Sequence, residues 1–347
     1  MSVFSLKHMQ RKLSVLLRRA WFLFGLLVFL LTAIYAYVNS FLNQIVKVEQ
    51  NQVFQIQPGE SAGVVIRNLK REIAIDRVFA SKIWFRLDPD NAEFKAGIYD
   101  IEPEQKLQSL LLRFQQGKTK QLQIRFVEGQ TWKVWLTQLQ NTQWLRDDLN
   151  TQDLLYQFQQ QSGWKMSSME GLLMPDTYQV EAGSKASDVV RQAFDGMVRF
   201  LDTEWHIRDV GLPLANQYQA LILASIIEKE TGLSNERAHI ASVFINRLNR
   251  GMRLQTDPTV IYGLDDEFTG NLTKAHLRQK TAYNTYRING LPPTPIAMVG
   301  KAAILASLHP IFSDDLYFVA RGDGSHQFST TLKQHNAAVR QYQLGKK

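Results

Sequence analysis

The chain has 347 residues, 45% of them apolar, with 40 basic against 32 acidic side chains, a net charge of +8, and no cysteine. That apolar share excludes disorder as the main state, and the length predicts two domains or one large domain with an appendage. Without cysteine there is no disulfide scaffold and no Cys-ligated zinc or iron–sulfur centre, which also fits an oxidising compartment. The surplus charge is local. Residues 1–46 hold Lys7, Arg11, Lys12, Arg18 and Arg19 and no acid, which leaves +3 for everything from Lys47 onward. A body so balanced lacks the basic patch that releases counterions from a polyanion, so no nucleic-acid partner is expected.

From Ala20 to Val46 nothing ionises except the tyrosines, and Trp21–Val38 is almost wholly apolar. About 20 such residues cross a bilayer as a helix. Five basic residues precede the run while Lys47 and Glu49 follow it, which predicts a cytoplasmic N-terminus and an extracytoplasmic body. The run exceeds a typical signal-peptide core and no A-x-A site follows, so an uncleaved signal anchor in the cytoplasmic membrane is expected. Across that membrane, nucleotide cofactors give way to envelope polymers as substrates. No phosphate-binding loop, dinucleotide fingerprint or H-E-x-x-H occurs, and the seven histidines have no ligand spacing, so neither cofactor nor metal is expected.

After the anchor, Val53–Ser61 alternates, turns at Pro58-Gly59 and enters a helix at Ser61. Val65, Ile66, Leu69 and Ile73 form one helical stripe and Phe79, Ile83, Trp84 and Leu87 a second, before a strand at Gly97–Ile101. This strand–helix–helix–strand unit, opening V-x-I-x-P-G-x-S, resembles a LysM module, a small fold that holds N-acetylated glycans. The alternative is a spacer that lifts the body off the bilayer. A second unit begins with a helix in Pro103–Gly117 and a strand in Gln121–Val127. Glu128-Gly-Gln-Thr-Trp132 opens another helix to about Gln140, and Asn141–Gly163 reads as short polar helices. No period of 20–50 residues recurs, which excludes solenoids and propellers.

Gln217–Thr231 predicts a helix capped by Gly232, apolar all round from Ala220 to Ile227 and therefore buried. Glu228 follows Leu221, Ala224 and Ser225 on one stripe; Glu230 follows Leu223, Ile226 and Ile227. Burial and the C-terminal end of a helix both disfavour a charged carboxylate, the tuning a general acid needs at neutral pH. Periodicity does not separate the two glutamates. The plainer alternative is an ion pair with Lys229 or with Arg247 of the next helix, Ser234–Leu248. Downstream, Asn246, Gln255, Thr256, Asp257, Tyr262, Tyr283, Asn284 and Tyr286 supply the amides, hydroxyls and aromatic faces that carbohydrate sites use. Arg321-Gly-Asp323 belongs to a hairpin turn between Tyr317–Ala320 and Gln327–Ser329.

The runs Leu223–Thr231, Ala241–Leu248, Met252–Gly263, Thr281–Tyr286 and Gly290–Pro293 resemble the YceG-like endolytic murein transglycosylases. Glu170–Tyr178, His326–Ser329 and His335-Asn336 match as well, so the resemblance covers about Glu170 to Val339. Met174 and Thr294 depart from the family's usual aromatic residue and glycine. The resemblance implies an α+β fold laid out as a basic tail (1–19), a transmembrane anchor (20–41), a LysM-like module (47–125) and a catalytic domain (126–347). It implies that Glu228 is the catalytic acid, that Asp257, Gln255, Tyr262, Asn284 and Tyr286 orient the sugars, and that Asp176, Thr177 and Tyr178 close the groove. Asp176 after Pro175 and Asp257 before Pro258 could equally be turn formers. The implied substrate is peptidoglycan, cut between N-acetylmuramic acid and N-acetylglucosamine without added water, beside the peptidoglycan synthases. Two rivals remain: a hydrolase pairing Glu228 with Asp257, and a glycan-binding scaffold without catalysis.

Overall fold

The computed structural model describes residues 3–345. The first two residues of the expected tail and the last two of the expected catalytic domain lie outside them. The fold is mixed α and β, with thirteen α-helices and three two-stranded sheets among the described residues. The chain divides into two compact units. One runs to Gln121 and takes in Glu181–Gly183; the other comprises Leu122–Val180 and everything from Ser184 onward.

In the first unit, helix α1 (Val3–Leu42) carries the apolar run, and its stretch Arg11–Leu42 is long and apolar enough to cross a membrane. Trp21, Phe22 and Phe29 are exposed along it, as a lipid-facing surface would be. Its last turns differ, because Val38 is buried and Phe41 belongs to the core of the unit. The join is stiffened beyond the helix: Val46 N–H donates to Gln105 O at 2.8 Å, Leu107 N–H to Gln44 O at 3.0 Å, and the Gln44 amide bonds both ways with the Asp76 backbone.

Strand β1 (Gln52–Ile56), α2 (Ala62–Ile73), α3 (Phe79–Leu87) and β2 (Gly97–Ile101) follow in the expected order, and β1 pairs antiparallel with β2, Phe54 opposite Tyr99. All four residues of the α2 stripe are buried. The α3 stripe is looser. Phe79 and Leu87 point outward, and only its middle, Ile83 to Phe85, is half-buried. Helix α4 (Leu107–Gln116) completes the unit by driving Phe114 among Phe54, Phe94 and Tyr99, with centroids 4.7–5.7 Å apart.

The second unit holds all but the first residue of β3 (Gln121–Arg125) and all but the last of β4 (Thr177–Glu181), which pair, and then α5 (Trp132–Asn141). The polar stretch after Asn141 forms one helix, α6 (Thr151–Ser162), capped by the Asn150 side chain on the Gln152 and Asp153 N–H groups. It holds its place because Leu154 and Phe158, one turn apart, are both buried, with Phe158 stacked 3.8 Å from Phe194 of α7 (Ala186–His206). The centre is α8 (Gln217–Glu230), buried at every position from Ala220 to Ile227 and packed against α7, α9 (Arg237–Asn249), α10 (Asp257–Leu264) and α12 (Lys301–Leu308). It ends on Thr231 in an extended conformation rather than on Gly232. A short helix α11 (Lys274–Arg278), the hairpin β5 (Tyr317–Ala320) and β6 (His326–Ser329), and α13 (Leu332–Val339) surround this core. The hairpin turn is closed by Asp323, whose carboxylate accepts from the Ser325 N–H and hydroxyl, in keeping with a structural role for Arg321–Asp323.

Phe114→Ala removes a fully buried ring from a four-aromatic cluster and is expected to cost about 3–5 kcal/mol. Phe312→Ala, at a ring 98% exposed, is expected to stay within about 0.5 kcal/mol. Urea unfolding followed by circular dichroism separates the two, and equal midpoints would contradict this packing.

Candidate active site

Helix α8 is built to deliver its last turn. Its all-apolar interior fixes it in the core, and Ser225, also buried, donates to Ile222 O while accepting the Ile296 N–H at 2.9 Å. That bond draws the segment 296–300 alongside α8, and the segment ends at Gly300, the residue that caps α12. Gly300 N–H then donates to Glu228 Oε2 at 3.0 Å. A carboxylate at the end of one helix is received by the positive end of another.

Glu228 is 5% exposed at its side chain. Arg237, at the start of α9, approaches Glu228 Oε1 at 3.4 Å and Glu128 Oε1 at 4.0 Å. Glu128 stands just before α5 with 48% of its side chain exposed. A Cβ on Gly300 would come within 3.2 Å of Glu228 Oε2 and would have to displace the end of the Glu128 side chain. Burial pushes the Glu228 carboxyl above its ordinary range and Glu128 adds to this, while the Gly300 N–H, Arg237 and Lys229 pull the other way. The alternative of an ion pair with Lys229 or Arg247 is met at neither glutamate: Lys229 Nζ donates to Gly129 O at 3.1 Å, and Arg247 donates to Leu316 O and Leu254 O, both at 2.6 Å.

The segment carrying Glu128 is clamped from both sides. Gly129 N–H donates to Met298 O and Met298 N–H to Gln130 O, both at 2.8 Å. Behind it, buried Glu170 accepts the Trp132 N–H on both carboxyl oxygens, at 3.1 and 3.2 Å, and the Tyr262 hydroxyl at 3.4 Å. Thr131, the residue at the cap position of α5, makes no side-chain cap, so Glu170 supplies from a distant segment what a local cap would. Burial pushes the Glu170 carboxyl up to about 7 against its Trp132, Tyr262 and Lys229 partners. Gly171 next to it has φ +73°, and a Cβ there would strike Pro295.

On the other side of α8, Glu230 accepts a short hydrogen bond from Thr256 Oγ1 and lines an open cavity of about 420 Å³ with Gln255, Thr256, Asp257, Tyr286 and His326. Burial raises its proton affinity and nearby Asp257 raises it further. Tyr286 donates to Asp257 at 2.7 Å. His335 lines the same cavity with an unpartnered Nδ1, and His326 Nδ1 sits 2.7 Å from Glu236. The expected residues therefore separate. Gln255, Thr256, Asp257 and Tyr286 gather around Glu230, so Asp257 neighbours Glu230, and the carboxylate beside Glu228 is Glu128. Tyr262 lies between Glu170 and Tyr283, whose rings meet edge to face at 5.0 Å, and Tyr283 bonds to Thr294 at 2.8 Å.

The remaining expected residues serve the fold through their visible bonds. Asn246 donates to Ser313 O and Asp315 O, and fully buried Asn284 donates to three carbonyls of residues 276–279 while accepting the Tyr286 N–H. Asp176, just before β4, and Thr177, its first residue, are exposed, and the Thr177 N–H donates to Asp176 Oδ1 at 2.7 Å. Tyr178 turns inward, donating to Met174 O at 2.6 Å and packing on Phe126. Glu128, Glu170 and Arg237 were not expected in the site. The signal for Glu170 was its place at the head of the Glu170–Tyr178 run; for Glu128 and Arg237, ordinary charges near helix starts, there was none. No group of His, Asp and Glu with metal-binding geometry occurs among the described residues.

Residues 54–341 match the model of the YceG-like family. An endolytic murein transglycosylase of Bacillus subtilis (strain 168) is 37% identical over 175 residues, 50% of this chain and 48% of that protein. One of Streptococcus pneumoniae (strain R6) is 26% identical over 285 residues, 72% of this chain and 51% of that protein. The chain thus spans about half the length of the curated relatives it matches. A crystal structure of a yceG-like protein from Listeria monocytogenes superposes with a TM-score of 0.52 at 28% identity, over 84% of this chain and 99% of that one.

Because Glu170 binds its proton more tightly folded than unfolded, it stabilises the fold fully below its unfolded pKa and progressively less as pH rises towards about 7. Glu170→Gln has no such titration. Relative to the variant, the wild type is expected to lose stability on the order of 3 kcal/mol between pH 4.5 and 7. Denaturation at several pH values reads the difference, and a gap independent of pH would contradict the burial of this carboxyl.

Proposed function

The chain belongs to the YceG-like family, and from that premise we propose that it is a membrane-anchored endolytic transglycosylase of peptidoglycan with Glu228 as its acid and base. The observation that carries this reading is a carboxyl 5% exposed, with raised proton affinity, held by one backbone N–H and one guanidinium. Glycosidases that add water use two carboxyls across the scissile bond. A single carboxyl suffices where the substrate supplies its own nucleophile. Protonated Glu228 gives its proton to the glycosidic oxygen as the bond from muramyl C1 breaks, and N-acetylglucosamine departs with a free hydroxyl. The resulting carboxylate then takes the proton of the muramyl 6-hydroxyl, whose oxygen closes on C1 to form the 1,6-anhydro ring, restoring the acid. Arg237 and the Gly300 N–H favour the carboxylate midway through this cycle.

A second reading is favoured by the cavity around Glu230, where four of the expected sugar-binding residues gather. In it Glu230 is the proton donor, and Glu228 with Arg237 braces α8. We further read the β1–α2–α3–β2 unit as a LysM-like module within 47–125, supported by its element order and antiparallel pairing. Residues 20–41 are the single span, with the basic residues of 1–19 in the cytoplasm and the catalytic region 126–347 outside, where peptidoglycan strands and their synthases are the partners.

The full chain in detergent is expected to cut uncross-linked glycan strands to give 1,6-anhydromuramyl ends by mass spectrometry. Glu228→Gln is expected to lose a hundredfold or more of that rate. Reducing ends would point to a hydrolase. Loss of activity in Glu230→Gln with retention in Glu228→Gln would transfer the role to Glu230, and a wild type that binds strands without cutting them would leave a scaffold.

A further inference from the structure

Glu228 has a like-charged neighbour from a remote part of the chain. We propose that Glu128 is a positioning residue of the same site, one that acts through Glu228 by keeping its proton in place between turnovers. The inference rests on the reading of Glu228 as the acid.

The argument is geometric. Glu128 and Glu228 share one guanidinium, at 4.0 and 3.4 Å, and both carboxyls reach within 3.2 Å of where a Cβ of Gly300 would stand, the residue whose N–H goes to Glu228. Two carboxylates around one cation cannot both be neutralised by it, so one of them is favoured in its protonated form. Glu228, 5% exposed, is that one; Glu128, 48% exposed, remains in contact with water. The placement of Glu128 does not depend on its own contacts. Gly129 and Gln130 are laced to Met298, Lys229 holds Gly129 O, and Glu170 holds the Trp132 N–H, so the residues that follow it are fixed at four points. Such a segment is more than a surface turn that happens to carry an acid.

Other charges near α8 are spoken for. Lys229 on the same helix pulls Glu228 down and is itself drawn to Gly129 O. Arg247 of α9 and Asp257 of α10 face Glu230, and Lys301 of α12 lies over the Phe200 ring. On α7, Asp202 accepts from Gln217 and Asp195 from Gln161. Glu128 and Arg237 therefore form the adjustable pair of opposite sign that faces Glu228 from outside its own helix.

The test is the pH dependence of kcat/KM on uncross-linked strands for the full chain in detergent, with wild type, Glu128→Gln and Glu128→Asp. An acid that must be protonated gives a basic limb at its own pKa. Removing the negative neighbour in Glu128→Gln is expected to move that limb to lower pH by roughly half to one unit, leaving activity at low pH close to wild type. Glu128→Asp, which keeps the charge, is expected to restore the limb. A limb unmoved in Glu128→Gln overturns the proposal, as does a folded Glu128→Gln inactive at every pH, since that would make Glu128 a direct participant. Failure of Glu128→Asp to restore the limb overturns it too. Absence of anhydro ends from the wild type, or full activity in Glu228→Gln, would instead remove the underlying reading of Glu228, so the two failures are distinguishable.

Discussion

A carboxyl withdrawn from water needs a donor to replace the solvent it loses, and the Gly300 N–H fills that need for Glu228. Much of the second unit can be understood as what brings this one bond about. The apolar interior of α8 fixes one partner. Ser225, on the same helix, catches the segment that supplies the other. The missing side chain at Gly300 lets two carboxyls come close to the start of α12. An alanine at this one position would meet both acids at once.

The same economy extends to Glu170. It sits in the core, yet it organises the start of α5 through a single backbone N–H, and with it the segment on which Glu128 stands. Three carboxyls from distant parts of the chain thus take different places: one buried to hold a loop, one half-exposed on that loop, and one between helices, which in the proposed reading exchanges a proton. Their environments differ more than their chemistry. This is how identical side chains acquire different roles.

How far the sequence foretold this depended on whether a feature was local. Helix α8 was legible because eight consecutive small and apolar residues admit few other fates, and the α2 stripe because its spacing matched one helical face. The hairpin was legible from its turn. The stretch after Asn141 was harder, because only Leu154 and Phe158 anchor an otherwise polar helix, and two residues make a weak pattern. Gly232 looked like a terminator, but Thr231 had already left the helical conformation. Around the candidate site, the residue types pointed to sugar chemistry without saying which glutamate they surround. Glu228 and Glu230 lie on different sides of α8, and only the packing of α10 against it brings Asp257 and Thr256 to Glu230. Glu128 and Arg237 were beyond reach, since an acid or a base near a helix start is commonplace and its partner is chosen by the tertiary fold.

The burial of Phe41 at the foot of α1 carries a practical meaning for anyone handling the molecule. The aromatic lobe borrows part of its interior from the long apolar helix, so the two cannot be parted cleanly at the end of the greasy stretch. Trimming away everything through Leu42 to gain solubility would hollow out that lobe. A cut upstream of Val38 leaves it whole.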